Sequence, residues 1–477
     1  MKKFLSIFCA SLFFGMMLLP FVACSEVEES ATSEITELRF DIRVTNASEP
    51  ATKVVKTSWE NGDKIFIFFK KTAPTEEYLN NLYYATLTYN SGTGKWDGAF
   101  SEGSSHVEKI GTAGIMYAIY FPFANVQRET GGWFYSSGQT NGALNGKFVY
   151  SFYMTNGAGS SYTLTKSDDI ATLSGDLSLV LPSDMVYFYV SAKDGKFNEN
   201  EKYRLSVAGV KPATVTEWEN GVFETSVLGP GQPMWGYKYG DGIAFAGLID
   251  DSWATAGDHK CYFFSDGDPA TTKTLKNKTL TGHATVNLDV TSGWTRAIPV
   301  VSYTKMCDGN YWGNWNLGCE DIDDDTYGLT FRWGEIVPNG TGGYFPLSMI
   351  STNPLVGGYA VYDAARALLG ANWRMPTKAE MEYLKADRGN CTNEYKSASA
   401  GLGGKRGWLC TGKTEPKNYI FFRTDNSKDG VYWTATSPNS SYAISCRFTD
   451  SWFASFENSD RTALKAIRPI YCGPVSD

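Results

Sequence analysis

From Leu38 to about Val290 the apolar positions recur every second residue in short runs. LRFDIRV alternates strictly, and DKIFIFF, YYATLTY, MYAIYFPF, MVYFYVSA and YRLSVAGV are rich in β-branched and aromatic side chains. Gly, Asn, Asp and Pro punctuate these runs, as in NSGTGKWDG and NENEK, a pattern of short strands joined by tight turns. It predicts an all-β part made of two β-sandwiches, over 38–191 and 192–292, with a boundary near Ala192. Past TSGWTRAIP the character changes: eight of the 14 Trp and six of the nine Cys fall between Gly293 and Asp477. Two helices are predicted there. YDAARALLG offers Asp363 as N-cap and Gly370 as the stop. In WRMPTKAEMEYL, Thr377 and Glu380 make a capping box ahead of the inward Met381 and Leu384. Capping alone accounts for that conspicuous stretch. The segment from Arg388 to Gly430 reads as a long, polar, Gly-rich loop.

The chain opens MKKFLSIFCASLFFGMMLLPFVACSEVEES. Lys2 and Lys3 precede an apolar run, Phe4 to Ala23, which predicts an export signal over 1–24. Residues 25–37 are acidic and predict a flexible tether. FVAC resembles the lipobox of bacterial lipoproteins, which implies Cys24 as the lipidated, palmitate-bearing residue. The acidic tether resembles the stretch that sends lipoproteins of Gram-negative, Bacteroides-type bacteria to the outer face of the outer membrane. The expected location is therefore the cell surface, with the lipid as membrane anchor.

Composition narrows the function. Aromatic content of 15% and 48 Gly suit β-rich, exported material. Net charge is −8 and no Lys/Arg cluster occurs, which excludes nucleic acid as partner. Cys307, Cys319, Cys391, Cys410, Cys446 and Cys472 form an even set in an exported region and predict disulfides. The sequence-local pairs Cys307–Cys319, Cys391–Cys410 and Cys446–Cys472 are the first expectation, and Cys261 is left as a buried thiol. No cysteine spacing makes a zinc site, and no other metal or cofactor is expected. His106, His259 and His283 are the only histidines, so the last third lacks the commonest general base. That argues against an enzyme. Counting from Asp321, the sixth and twelfth positions are Thr326 and Arg332, which fails the calcium helix-loop-helix pattern. The run Asp321, Asp323, Asp324 and Asp325 reads as a solvated loop.

TKVVKTSWENGDKIFIFF, MYAIYFPF and the later YFFSDGDPATTKTLKNKTLTGHATVNLDV resemble the fimbrillin-type pilus subunits of Bacteroides-type bacteria. The resemblance covers roughly 38–290 and implies transthyretin-like sandwiches. It also implies trimming by a trypsin-like protease and assembly with other pilus subunits by β-strand donation into the N-terminal sandwich. Arg39 and Arg43, in ELRFDIR, are the candidate cut sites.

The last third, 293–477, carries YWGNWNLG, FRWGE, YDAARALLG, WRMPT, YWTATS and AIRPIYC in order. This is similar to the FISUMP domain, and implies an α+β, C-type-lectin-like fold with ligand recognition in its loop region. Tyr395, Arg406 and Trp408 are the candidate ligand-binding residues, because flat rings stack on sugars and peptides at low entropic cost. WRMPTKAEMEY is also similar to formylglycine-generating enzymes, which need a closely spaced Cys pair. Cys446 and Cys472 lie 26 residues apart, so that chemistry does not carry over. EPKN at Glu415–Asn418 approaches the sugar-binding triplet of C-type lectins, but Lys417 interrupts it. KAIRPIYCGPVSD, in a globular, Cys-rich region, offers no strand to donate. The expected function is adhesion, at the tip of a fimbrillin-type pilus, to an extracellular glycan or protein. The alternative is a surface lipoprotein that captures such ligands outside a pilus.

Overall fold

Strand β1, Glu37–Asn46, lies at one end of a nine-stranded sheet. The other long strands of the sheet are β2 (Lys64–Lys71), β3 (Tyr84–Asn90), β4 (Lys95–Phe100), β5 (Ala113–Tyr120), β6 (Ser160–Ser167) and β7 (Ile170–Leu179). In this computed structural model the described residues are 35, 37–46, 58–101, 107–121, 126–128, 134–136, 153–191, 197–198, 201–227, 233–239, 241–249, 257–282, 284–290, 292–321, 327–338, 362–415, 417–424, 429–439 and 441–475. Cys24, the signal, nearly all of the tether and Asp323–Asp325 lie outside them.

The spatial order is β1-β7-β6-β5-β2-β3-β4. β1 runs parallel to β7 over all ten residues, from Glu37 opposite Ile170 to Asn46 opposite Leu179. The alternation of LRFDIRV explains its seat. Leu38, Phe40, Ile42 and Val44 face the core, while Glu37, Arg39, Asp41 and Arg43 face solvent. β2 has no such alternation and is covered on both faces. Phe69 meets Phe100 and Tyr162 at ring distances of 5.6 and 5.5 Å. Across the sheet, Phe68 stacks on Trp218 at 5.1 Å. Trp218 belongs to a hairpin, Ala213–Glu219 with Val222–Val227, from the next region.

That region is a sandwich of two five-stranded sheets. Its main strands are β8 (Met185–Ser191), β9 (Arg204–Val207), β10 (Gly242–Ile249), β11 (Gly257–Phe264), β12 (Thr271–Lys278) and β13 (Thr285–Asp289). Val186, Phe188, Phe245 and Val286 of one sheet pack against Leu205, Val207 and Cys261 of the other. Cys261 is fully buried there, and burial pushes its thiol up to about 12.

The boundary expected near residue 192 is displaced. β8 pairs antiparallel with β10 and parallel with β13, so the break in hydrogen bonding falls before Met185. β8, and β11 from Cys261 to Phe264, are apolar on both faces, and this is what joins the regions. Tyr187 and Tyr189 turn back onto the core of the first sheet, while Tyr262 and Phe264 turn onto the last third.

The last third carries two six-residue helices, α1 (Ala364–Leu369) and α2 (Lys378–Tyr383). Its longer strands are β14 (Cys391–Lys396), β15 (Gly407–Gly412), β16 (Tyr419–Arg423), β17 (Gly430–Trp433), β18 (Tyr442–Phe448) and β19 (Ser455–Asp460). The side chain of Asp363 accepts from the N–H groups of Ala365 and Arg366, and Gly370 ends α1 at φ 102°. Thr377 and Glu380 form the capping box of α2, and Arg374 donates to Glu380 at 2.9 Å. WRMPTKAEMEYL is therefore a braced helix start.

The segment Arg388–Gly430, expected as a loop, contains a three-stranded antiparallel sheet, β14-β15-β16. Its glycines serve the connection instead of spreading disorder. Gly403 and Gly404 adopt φ of 59° and 70° between β14 and β15, a conformation that costs glycine little. Trp333 and Trp433 lock the core reciprocally: Trp333 Nε1 donates to the Thr434 carbonyl and Trp433 Nε1 to the Phe331 carbonyl, both at 2.8 Å. Arg468, fully buried, donates to the carbonyls of Gly313, Asn314 and Phe421.

Candidate binding surface

β14, β15 and β16 place Tyr395, Trp408 and Phe422 side by side in one cross-strand row. Directly opposed residues share a face of the sheet. Phe422 is fully buried, so this row points towards the core. Tyr395 and Trp408 meet edge to face at 5.6 Å, and Trp408 meets Phe453 at the same distance. Trp408 Nε1 donates to the Thr449 carbonyl at 2.6 Å. Its ring is thus engaged on both sides and its polar handle is used. Arg406 lies at the entry to β15, where its carbonyl accepts from the N–H and hydroxyl of Thr424. The structure brings Tyr395 and Trp408 together, but as support rather than as an open platform.

What they support is the turn between β18 and β19. Thr449 Oγ1 accepts from the N–H groups of Ser451 and Trp452, and the Thr449 N–H donates to the Trp452 carbonyl at 3.0 Å. Phe453 points in, against Trp408 and Phe448. Trp452 points out and is 71% exposed. A large apolar ring held in solvent by an ordered turn is a stacking surface ready for a partner. Sequence reasoning passed over Trp452. The signal was a Trp set in TDSWFAS, between polar residues and a Phe able to anchor the turn.

Two concave features compete less well. A cavity of about 20 Å3 lined by Asn316, Cys319, Lys405, Phe421 and Arg468 has room for roughly one water and none for a sugar ring. A cleft of about 500 Å3 is lined by Glu77, Asn80, Asn81, Glu219 and Asn220 with Tyr78 and Trp218. Its aromatic lining is already engaged: Trp218 stacks on Phe68, and Lys70 sits 4.8 Å above the Tyr78 ring.

No protein-family model matches the chain, and no curated protein matches it by sequence. The solved structures to which it is similar include fimbrial and candidate cell-adhesion proteins of Bacteroides, at low identity. A candidate cell-adhesion protein of Bacteroides ovatus is 14% identical, with 55% of this chain and 95% of that chain covered and a TM-score of 0.29. A fimbrial protein of the same species is 11% identical, with 92% and 99% covered and a TM-score of 0.23. A candidate cell-adhesion protein of Bacteroides uniformis is 14% identical, with 51% and 91% covered and a TM-score of 0.23.

The other sequence candidates fall as follows. Arg39 and Arg43 are exposed on β1; Arg39 pairs with Glu37 at 2.7 Å and Arg43 approaches Asp176 at 3.9 Å. Among the described residues the cysteines form no S–S bond, and they follow sequence proximity only in part: Cys391 and Cys410 do come together. Cys307 lies against Cys391 instead of Cys319. Cys446 is buried in the core around Phe448, whereas Cys472 is exposed and meets the Asn372 carbonyl at 3.5 Å. Strand pairing explains the separation: Cys446 sits mid-β18, and Cys472 follows a strand held between Tyr311–Gly313 and Trp373–Arg374.

Proposed function

We propose that this protein is a cell-surface adhesin of a fimbrillin-type pilus, entering the fibre through its N-terminal sheet and binding through its last third. The observation that carries the reading is β1. It is an end strand, its apolar side chains line the core, and it is hydrogen-bonded to its sheet through β7 alone, in a parallel pairing. Removing it leaves an apolar groove beside β7 in which a strand from another subunit can lie. Arg39 and Arg43 are the trimming sites in this reading, and their side chains face solvent.

The tip position rests on the last third. Ile470–Tyr471 is hydrogen-bonded on both sides within its own sheet, so it is not itself a donor. The C-type-lectin-like last third is then the recognition unit, with Trp452 stacking on a glycan or a protein surface. Cys24 carries the lipid that delivers the subunit to the outer membrane.

Limited trypsin cleavage of the full chain, followed by a labelled peptide of residues 37–46, tests the assembly step. The cleaved protein should stay folded, lose β1 and take up the peptide but not a scrambled version. Cleavage that unfolds the first sheet, or a cleaved protein that ignores the peptide, contradicts the proposal.

A further inference from the structure

Three thiols from separate parts of the chain meet beneath the β14-β15-β16 sheet. Cys307 Sγ lies 3.0 Å from Cys391 Sγ, about 1 Å beyond a covalent S–S bond. Cys307 belongs to the turn after the short strand Tyr303–Lys305, and Cys391 opens β14. Cys410, on β15, interacts with Cys391 and points its thiol at the Leu384 carbonyl, at 3.5 Å. Cys391 and Cys410 are fully buried, and Cys307 is partly exposed. Among the described residues no group of three or more Cys, His, Asp or Glu is arranged to hold a metal ion.

We propose that Cys307 and Cys391 form a disulfide in the exported protein, while Cys410 stays a thiol beside it. Strand register decides between the two partners open to Cys391. Cys391 stands opposite Gly412, and Cys410 opposite Asn393, so Cys391 and Cys410 are diagonal neighbours. Diagonal positions on paired strands sit roughly 7–8 Å apart, beyond the usual Cα span of a disulfide. Closing that pair would drag the ladder. Cys307, on a turn, reaches Cys391 without moving a strand.

The electrostatics suit the same pair. Interaction with the Cys410 thiol, and then with Cys307, outweighs burial and draws the Cys391 thiol down to about 7. Burial and its bond to Cys391 push Cys307 up to about 12. Cys391 is thus the thiolate of the cluster and Cys307 the member that meets solvent. With a small-molecule disulfide such as cystine as oxidant, Cys307 passes its proton to Cys391 and attacks one cystine sulfur. The cystine S–S bond breaks, one cysteine leaves as thiolate and takes the proton from Cys391, and a mixed disulfide forms on Cys307. Cys391 then attacks the Cys307 sulfur and expels the second cysteine. The Cys307 thiol and Cys391 thiolate together lose two electrons and one proton, and one cystine becomes a cysteine and a cysteine thiolate, which takes its proton from water. The product ties the turn after Lys305 to the sheet that supports Trp452. This inference stands independently of the adhesive reading.

The test uses the full chain, exposed to cystine, blocked with N-ethylmaleimide under denaturing conditions and digested without reduction. Trypsin separates Cys391 from Cys410 at Lys396 and Arg406, and cleavage before Asp308 separates Cys307 from Cys319. The expected product is a Cys307 fragment joined to the peptide 389–396, with Cys410 recovered as its maleimide adduct. Cys410→Ser should keep the link, and Cys391→Ser should leave Cys307 open to maleimide. Cys391 joined to Cys410, Cys307 joined to Cys319, all three recovered as adducts, or a link lost in Cys410→Ser would overturn the proposal.

Discussion

The ring of Phe40 lies over the backbone of Gly98, so close that a Cβ at residue 98 would fall 2.2 to 2.5 Å from its ring atoms. Phe40 also packs on Phe100 at 5.7 Å. β1 and β4 are the two ends of the sheet order, yet this contact sets them face to face. The missing side chain at Gly98 lets the first strand close over the core. Gly98→Leu should therefore lift β1 and destabilise the first sheet by about 1–3 kcal/mol, the usual range for overpacking. The checks are the thermal midpoint and the rate of trypsin cleavage at Arg43, which should rise. An unchanged cleavage rate would mean that Phe40 does not hold the strand.

Trp452 and Trp408 should separate binding from stability. Trp452→Ala removes an exposed ring and should leave stability within about 0.5 kcal/mol, while weakening binding to a glycan or protein ligand roughly tenfold or more. Trp408→Ala removes a half-buried ring and its bond to Thr449, and should destabilise the last third by about 2 kcal/mol. Denaturant unfolding and ligand titration on both variants check the pair.

Glu380 makes the fold sensitive to acid. Burial raises its pKa, but Arg374 together with the N–H and hydroxyl of Thr377 outweighs burial and holds the carboxyl below its ordinary value of 4.5. A depressed carboxylate contributes stability above its unfolded-state pKa and loses it as pH falls through the folded-state value. Wild type should thus lose stability on acidification from about pH 5 more steeply than Glu380→Gln. Urea midpoints across that range give the comparison, and parallel curves would remove Glu380 from the account.

Much of this was legible before the structure. Strict alternation in LRFDIRV gives β1 its inner and outer faces, and Asp363 and Thr377 mark helix starts that need only local hydrogen bonds. Three features were not legible, each for a long-range reason. β8 carries an unbroken apolar run, which shows that both faces are buried but not which sheet it joins. β14 to β16 looked like a loop because the glycines of one turn dominate the composition around them. The approach of Cys307 to Cys391 spans 84 residues and depends on a sheet register that no local spacing encodes.

Arg468 illustrates a buried charge that holds separate elements together. It joins the carbonyls of Gly313 and Asn314 to that of Phe421 on β16, with its guanidinium 5.1 Å above the Phe422 ring. Burial pushes the group below its ordinary pKa. Arg468→Lys keeps the charge but loses the planar fork, leaving buried carbonyls unpaired. The expected cost is about 3 kcal/mol, read from the urea midpoint of the full chain.

The central claim is a place at the tip of a fibre, and whole cells test it directly. Cells are labelled with a gold-conjugated antibody against residues 293–477 and viewed by electron microscopy. Gold at the ends of fibres is the predicted result. Gold spread over the cell body, with lipid still on Cys24, would contradict it and leave a surface-anchored binding lipoprotein.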